Sequence, residues 1–283
     1  LLKSYRPKYV IFSNDHNSEC RTLLELCKSL NIITIYIPHA SVSTRLHSLD
    51  FNFSILPGKY TYDIYKRCES RRSSSSFCIS NRYYTLLGNL RNFKVIKDSS
   101  CDYLGIALKG TDKISSISKS LLSLDKKYKL IIRPHPNLNF TKFSEEISNI
   151  NLRNTILSDP KLESTSNFLT KTSILLSGNS TLLLEGTLNN IISVYIDELS
   201  GGVDDYYMYC SNKIVPRLNK LVYILQTSKM DEIVNFEPSL KMIQYYINNY
   251  NTRSYRMESQ YCAKIILKLK KYNNLKGFFK VDS

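Results

Sequence analysis

Two stretches, residues 129–136 (KLIIRPHP) and 174–186 (ILLSGNSTLLLEG), constrain this chain more than any other feature. Each opens as a short apolar run without alternation, the pattern of a strand covered on both faces in a parallel sheet. Each run stops at a small polar constellation, and the second passes straight into helical spacing. In an open α/β sheet, ligands bind outside the carboxyl ends of the strands. Arg133, His135, Ser177, Asn179, Ser180 and Thr181 are therefore expected to face one crevice. Cationic, hydroxyl and amide groups gathered in this way suit an anionic, phosphate-bearing ligand.

The remainder of the chain repeats the alternation. Strands are expected at 9–13, 32–37, 51–56 and 84–90, with helices at 18–30 and 59–72. A second series has strands at 103–108, 129–132, 173–176 and 191–196, and helices at 114–124, at 143–150 and from Ser180. Residues 71–76 (RRSSSS) read as a polar loop and 91–101 as a linker, while 217–227 and 238–273 read as helices. Strands alternating with helices imply parallel βαβ units. Two such series imply an α/β fold of two Rossmann-like lobes with a central cleft. The divisions are an N-terminal lobe at 1–95, a C-terminal lobe at 96–237 and C-terminal helices at 238–283. The first lobe is short, either reduced or lacking its start.

Charge narrows the partners. Lys and Arg number 39 against 24 Asp and Glu, a formal net charge of +15 that favours nucleic acid, phosphorylated sugars or an acidic membrane face. A nucleic-acid binder would need a binding module or aromatics interleaved on a basic face, and the 21 tyrosines are scattered. The seven cysteines are also scattered without metal-ligand spacing, as expected of reduced thiols in a cytosolic protein. No apolar run approaches the ~18 residues that span a bilayer. Neither a P-loop, a strand-borne GxGxxG, an HExxH nor a GxSxG is present.

Three further places carry candidate chemistry. His135 lies between Pro134 and Pro136, whose fixed φ angles hold it rigidly at a strand end, where it could donate to a phosphate. Ser177–Thr181 puts hydroxyls and backbone N–H groups at a helix start, which suits an anion and equally suits N-capping. Glu185, one turn on, could accept from ribose hydroxyls, and a solvated or buried, paired glutamate suits the same position. Asp15 ends the first strand as a candidate base or nucleophile, although an Asx-turn and helix cap use the same residue types. His39 ends the next strand and would neighbour Asp15 on the same sheet edge. Asp204 and Asp205 follow a Gly-Gly turn; lacking a third ligand at suitable spacing, they read as an acidic turn beside the tyrosine pair Tyr206–Tyr207 rather than a metal site.

RPHP (133–136) and SGNST (177–181) resemble the His-Pro and Ser/Thr motifs of bacterial sialyltransferases and β-Kdo transferases. More broadly, the chain is similar to GT-B glycosyltransferases that build capsule, lipopolysaccharide or teichoic-acid polymers. Residues 35–60 resemble a segment of these enzymes and of glycerophosphate polymerases, in which a strand ends in histidine and the next ends in glycine. YTLLGNLR (84–91) looks like the Gly-Asn turn that closes the first lobe, and the likeness spans most of 8–225. The resemblance implies that His135 with Pro136, Ser180 and Thr181 grip the CMP part of a CMP-sugar; Arg133, Ser177, Asn179 and Glu185 join them on the donor side by their place at the strand ends and helix start. It makes Asp15 the nearest match by position to the acidic catalytic residue, with His39 beside it. The implied activity is metal-independent transfer from CMP-Kdo or CMP-sialic acid, without a cofactor, to a growing surface polysaccharide or lipid-linked acceptor. Such a protein is expected in the cytoplasm, or peripherally at the inner face of an anionic membrane. The enzyme alternatives are a CDP-glycerol-type glycerophosphotransferase and a nucleotide-sugar epimerase. The non-enzyme alternative is a basic nucleic-acid-binding protein, with nucleic acid not expected as a partner under the main reading.

Overall fold

The computed structural model describes residues 2–44, 46–69, 82–88, 94–96, 102–252, 257–272 and 278–281. The loop expected at 71–76, most of the linker at 91–101 and Asn89 to Arg91 lie outside them. The chain divides into two compact units, Leu1–Asn92 with Leu240–Ser283, and Phe93–Ser239.

The first unit begins with α1 (Leu2–Tyr5), β1 (Tyr9–Phe12), α2 (Ser18–Ser29), β2 (Ile33–Tyr36), β3 (Phe53–Leu56), α3 (Lys59–Glu69) and β4 (Tyr83–Leu86). The four strands pair in sequence order and in parallel, with Tyr9 opposite Ile33 and Phe53 opposite both Ile35 and Tyr83. Asn17 caps α2 by accepting from the Cys20 amide, satisfying one of the free N–H groups of the first turn.

The second unit contains β5 (Tyr103–Ala107), α4 (Ile114–Asp125), β6 (Leu130–Arg133), α5 (Phe140–Ser148), β7 (Thr155–Leu157), α6 (Thr165–Thr170), β8 (Thr172–Ser177), α7 (Leu182–Leu188) and β9 (Ile192–Ile196). A 3₁₀ turn (Asp197–Leu199), β10 (Arg217–Leu218), a second 3₁₀ turn (Leu221–Leu225) and α8 (Thr227–Val234) follow. The sheet is parallel throughout, in the order β10-β9-β8-β5-β6-β7. Its strands are apolar because α4 and the Leu221–Leu225 turn cover one face, burying Ile106, Leu121, Leu130, Ile132, Leu176 and Val194.

From Leu240 the chain returns to the first unit as α9 (Leu240–Tyr246), α10 (Glu258–Tyr272) and β11 (Phe279–Lys280), the last antiparallel to β4. The residues expected as separate C-terminal helices thus supply cover for the first sheet. Cys262 and Leu269 of α10 pack on Ile35, Phe53 and Ile55, while Lys264 and Lys268 face solvent. Gly58 is required where α9 meets α3, since a Cβ there would lie 2.2 Å from the Tyr246 carbonyl oxygen. Tyr60 then stacks on Tyr246 at 4.0 Å.

The structure corrects several expectations. Residues 217–227 form β10 and a 3₁₀ turn rather than a helix, and 238–273 is broken into α9 and α10. The helix expected from Ser180 starts at Leu182, and α5 starts at Phe140, three residues before its expected start, because Asn139 accepts from the Lys142 amide. Among the described residues, no helix is long and apolar enough to cross a membrane.

Asp125, buried at the end of α4, holds the turn into β7 by accepting from the Arg153 and Asn154 amides at 2.6 and 2.9 Å and from the Thr155 hydroxyl at 2.7 Å. Burial alone would raise its pKa, but these hydrogen bonds outweigh it and hold the carboxyl below its ordinary value of 3.8. A carboxyl depressed in the folded state stabilises fully above its unfolded pKa, and the contribution is lost as pH falls through the folded one. Asp125→Asn is expected to cost about 1–3 kcal/mol at pH 7 and distinctly less at pH 3. Urea unfolding at the two pH values checks this; equal losses would refute it.

Candidate functional site

The second sheet runs from β5 outward to β7 and returns to β8, so its topological switch point lies between the carboxyl ends of β5 and β8. The polar residues named from the sequence gather along this edge, but they divide into builders and groups that reach the surface. Ser177 is fully buried and donates to the Ala107 carbonyl at 2.6 Å, tying the ends of β8 and β5 together. Gly178 follows, and a Cβ there would lie 1.8 Å from the Leu199 carbonyl oxygen, so only glycine fits. Asn179 is also buried. Its amide nitrogen donates to the Ser200 and Val203 carbonyls, and its amide oxygen accepts from the Tyr195 hydroxyl and the Tyr206 amide. Asn179 thereby organises the loop 200–206 and commits both hydrogens of its side-chain amide to it.

Arg133 departs from its expected place. It is 5% exposed, donates to the Ser158 hydroxyl at 2.6 Å and the Glu163 carbonyl at 2.9 Å, and lies over the Phe168 ring at 5.5 Å. Its guanidinium braces the segment after β7 instead of facing a crevice with His135. The cation at the switch point is Lys109, at the end of β5, whose ammonium donates to the Ser200 carbonyl at 3.0 Å. Asp112 accepts from the Lys109 amide at 2.7 Å and fixes the KGTD turn.

His135 is exposed, with Pro134 buried beneath it and Pro136 in the turn closed by the Leu138 amide on the His135 carbonyl at 2.9 Å. The Asn137 amide approaches Nδ1 of His135 at 3.2 Å. An amide N–H can only donate, so Nδ1 accepts and the ring hydrogen of the neutral imidazole resides on Nε2, the outer nitrogen. Ser180 and Thr181 are half-buried at the end of β8. The Ser180 hydroxyl accepts from the Leu182 amide at 3.3 Å, and Thr181 caps α7 without a side-chain capping bond. Glu185 is buried one turn into α7. One strand, β5, separates β6 from β8, so the carboxyl ends of these two strands lie two strand spacings apart, about 10 Å. Beside them, Asp112, Lys113, Leu138, Asn139, Lys142 and Phe143 line a groove of about 650 Å³ between the starts of α4 and α5.

Asp205 is the buried member of the acidic turn. It accepts from the Cys210 and Ser211 amides and the Ser211 hydroxyl, while Asp204 pairs with Arg217 at 2.6 Å. Tyr206 and Tyr207 pack edge to face with ring centroids 5.0 Å apart. These carboxylates are engaged by their own loop and by Arg217 of β10, and among the described residues no three His, Cys, Asp or Glu side chains converge on a possible metal position.

In the first unit, β1 and β2 are parallel neighbours, so Asp15 and His39 do emerge at the same sheet edge. Asp15 is 2% exposed. One carboxylate oxygen accepts from the Tyr65 hydroxyl at 2.6 Å, and Tyr65 is itself 2.8 Å from the Tyr36 hydroxyl. Burial, chiefly, pushes both phenols above their ordinary value of 10, so they remain protonated donors. The other carboxylate oxygen is 3.2 Å from Nδ1 of His16. Asp15 is therefore neither the helix cap, which is Asn17, nor open to direct contact with an acceptor. His39 is exposed, and its Nδ1 donates to the Ser13 carbonyl at 2.6 Å. Tyr36, Tyr65 and His16 were not singled out from the sequence.

No family model matches the chain, and no curated protein sequence matches it. Solved structures do share its fold. The wall teichoic acid polymerase TagF, in a crystal soaked with CDPG, aligns with a TM-score of 0.59 at 10% identity, covering 94% of this chain and 73% of that one. UDP-GlcNAc 2-epimerase from Neisseria meningitidis, bound to UDP-GlcNAc, gives 0.62 at 15% identity over 94% and 78% of the two chains. S. aureus MnaA, in a co-structure with UDP, gives 0.58 at 12% identity over 97% and 76%. The chain thus has the mixed α/β fold of GT-B proteins, with one sheet parallel throughout and the other parallel apart from β11, as its strand–helix alternation led us to expect.

The bracing role of Arg133 is testable. Arg133→Met keeps much of the stem but leaves the Ser158 hydroxyl and Glu163 carbonyl without their charged donor. A loss of about 1.5–3 kcal/mol is expected in urea unfolding. Parental stability would show that the guanidinium is dispensable to the fold.

Proposed function

We propose that this chain is a glycosyltransferase that moves a sugar from a nucleotide-activated donor to a growing surface polysaccharide or a lipid-linked acceptor. The observation that carries the reading is the imidazole of His135. It is held rigidly at a strand end with a hydrogen on its outer nitrogen, beside the switch point where Lys109, Ser180 and Thr181 also stand. A fixed N–H donor, an ammonium and two hydroxyls suit the phosphate and ribose of a nucleotide. They would also stabilise the charge that develops on a leaving phosphate, without a metal or cofactor. Acceptor activation is assigned to the polar ends of β1 and β2, where Asp15 and His39 stand.

The donor is proposed to be CMP-linked, as CMP-Kdo or CMP-sialic acid, from the likeness of RPHP and SGNST to the motifs of enzymes that use such sugars. CDP-glycerol transfer and nucleotide-sugar epimerisation are the second reading, favoured by the shared fold with a polymerase soaked with CDPG and an epimerase bound to UDP-GlcNAc. The surplus of cations is compatible with peripheral contact at an anionic membrane face.

A thermal-shift panel of CMP, CDP, UDP and GDP tests the reading. A ligand that binds only the native state at a hundred times its Kd stabilises by about 2.7 kcal/mol. CMP is expected to raise the melting temperature most. A larger shift with CDP or UDP would move the donor to the second reading, and no shift with any of the four would remove the nucleotide site. His135→Ala is expected to weaken CMP binding about ten- to a hundredfold, as the loss of one charge-assisted hydrogen bond does, with the fold intact. Unchanged affinity would reduce His135 to a loop residue.

A further inference from the structure

We propose that the outward face of α10 docks the first unit on an anionic lipid bilayer, an inference that rests on the peripheral membrane contact proposed above and gives that contact a surface. Packing settles the inward face of α10. Cys262 and Leu269 are buried on Ile35, Phe53 and Ile55, with Ile265 and Ile266 partly buried beside them. At 3.6 residues per turn, the opposite face carries Tyr261, Lys264, Leu267 and Lys268. Met257 joins them at the start, its carbonyl accepting from the Tyr261 amide at 3.1 Å. All five side chains are exposed, Leu267 by 60%. Isolated apolar residues on a surface are ordinary, but here three share one stripe with two lysines. Glu258, the sole acidic residue of α10, is buried, which leaves the stripe without a negative charge.

A second part of the chain adds to the same region. The Tyr9 hydroxyl donates to the Leu269 carbonyl at 3.3 Å, and the Lys8 ammonium lies 5.7 Å from the centre of the Tyr9 ring. Lys8 is exposed, as are Tyr5 and Arg6 before it. The approach to β1 thus brings a further cation near the last turns of α10.

The mixture of groups selects the occupant. A nucleic acid would engage the lysines through its phosphates and leave Met257 and Leu267 in water. A bilayer with anionic headgroups engages both kinds of group. Lysines lay their stems along apolar surface and hold their ammonium groups at the level of the phosphates. Tyr261, with the Lys264 ammonium 5.5 Å from its ring centre, suits the membrane–water boundary, where tyrosine concentrates. Leu267 and Met257 then enter the edge of the hydrocarbon. Three apolar side chains are a small anchor, so the contact depends on the charge and is reversible.

The test is co-sedimentation of the protein with vesicles of phosphatidylcholine, alone or mixed with phosphatidylglycerol, at low and at physiological salt. The parent is expected to bind the mixed vesicles in preference to the neutral ones and to be released as salt rises. A lysine near an anionic surface contributes about fivefold, so Lys264→Gln with Lys268→Gln is expected to weaken binding about 25-fold at an unchanged melting temperature. Lys126→Gln with Lys127→Gln removes the same charge from exposed positions of the second unit and should have little effect. An equal loss in the two pairs would overturn the assignment, because net charge alone would then account for binding. The chain contains no tryptophan, so Leu267→Trp supplies a single reporter. Its emission is expected to shift to the blue on the mixed vesicles, and an unshifted emission from bound protein would overturn the insertion of this face. A parent that binds a single-stranded oligonucleotide through Lys264 and Lys268 but no vesicle would give the surface to nucleic acid instead. A parent that binds neither vesicle would overturn the docking surface and the peripheral contact together, while CMP binding would still decide the transfer reading by itself.

Discussion

Everything at the carboxyl edge of the second sheet depends on β5 lying against β8. Parallel strands need a crossover between them, and here the chain makes two full βα excursions before it returns to pair Gly105 with Leu175. The fit is close. A Cβ on Gly105 would lie 2.6 Å from the Thr172 side chain, so that side chain seats against β5 only because Gly105 has none. The junction is then bolted at its carboxyl end by the Ser177 hydroxyl on Ala107 and by Gly178 against Leu199. That explains why three of the five SGNST residues are spent on construction. Ser177, Gly178 and Asn179 build the corner, and Ser180 and Thr181 are what the corner presents.

The histidines show how a loop backbone chooses chemistry. His135 meets an amide N–H at Nδ1 and becomes a donor at Nε2. His16 and His39 meet acceptors at Nδ1 and become acceptors at Nε2. The same side chain is thus set to opposite tasks in the two units by one hydrogen bond each. A nearby charge then distinguishes His16 from His39, because only the former has a carboxylate partner behind its ring.

Much of this was legible in the sequence because parallel strands carry unbroken apolar runs and ligand groups collect at their carboxyl ends. β6 and β8 could be read that way, and so could the exposed position of His135 between its prolines. Other parts left no such trace. β7 is three residues long at a sheet edge, and Ile156 on it is 39% exposed, so it has no period to detect. Arg133 was assigned to the crevice because a strand-end arginine looks the same whether it points out or in. Its partners Ser158, Glu163 and Phe168 lie far along the chain, and only the fold brings them under it. Lys109 lies in the sequence KGTD, whose composition signals a turn and nothing of a ligand. The Tyr36–Tyr65 contact joins a strand to a helix across 29 residues, a separation that no local pattern encodes.

The first unit is discontinuous in the chain, which has a consequence for how it is made. Its sheet is complete on one face only when α10 covers Ile35, Phe53 and Ile55, and α9 seats against Gly58. Those helices are translated after all of Phe93–Ser239. At a synthesis rate of about 5–20 residues per second, the early strands wait on the order of 10 s for their cover. The second unit is contiguous and can close as it emerges from the ribosome. The nascent first sheet, with Phe53 and Ile55 uncovered, is then the stretch on which a holding chaperone would act during synthesis.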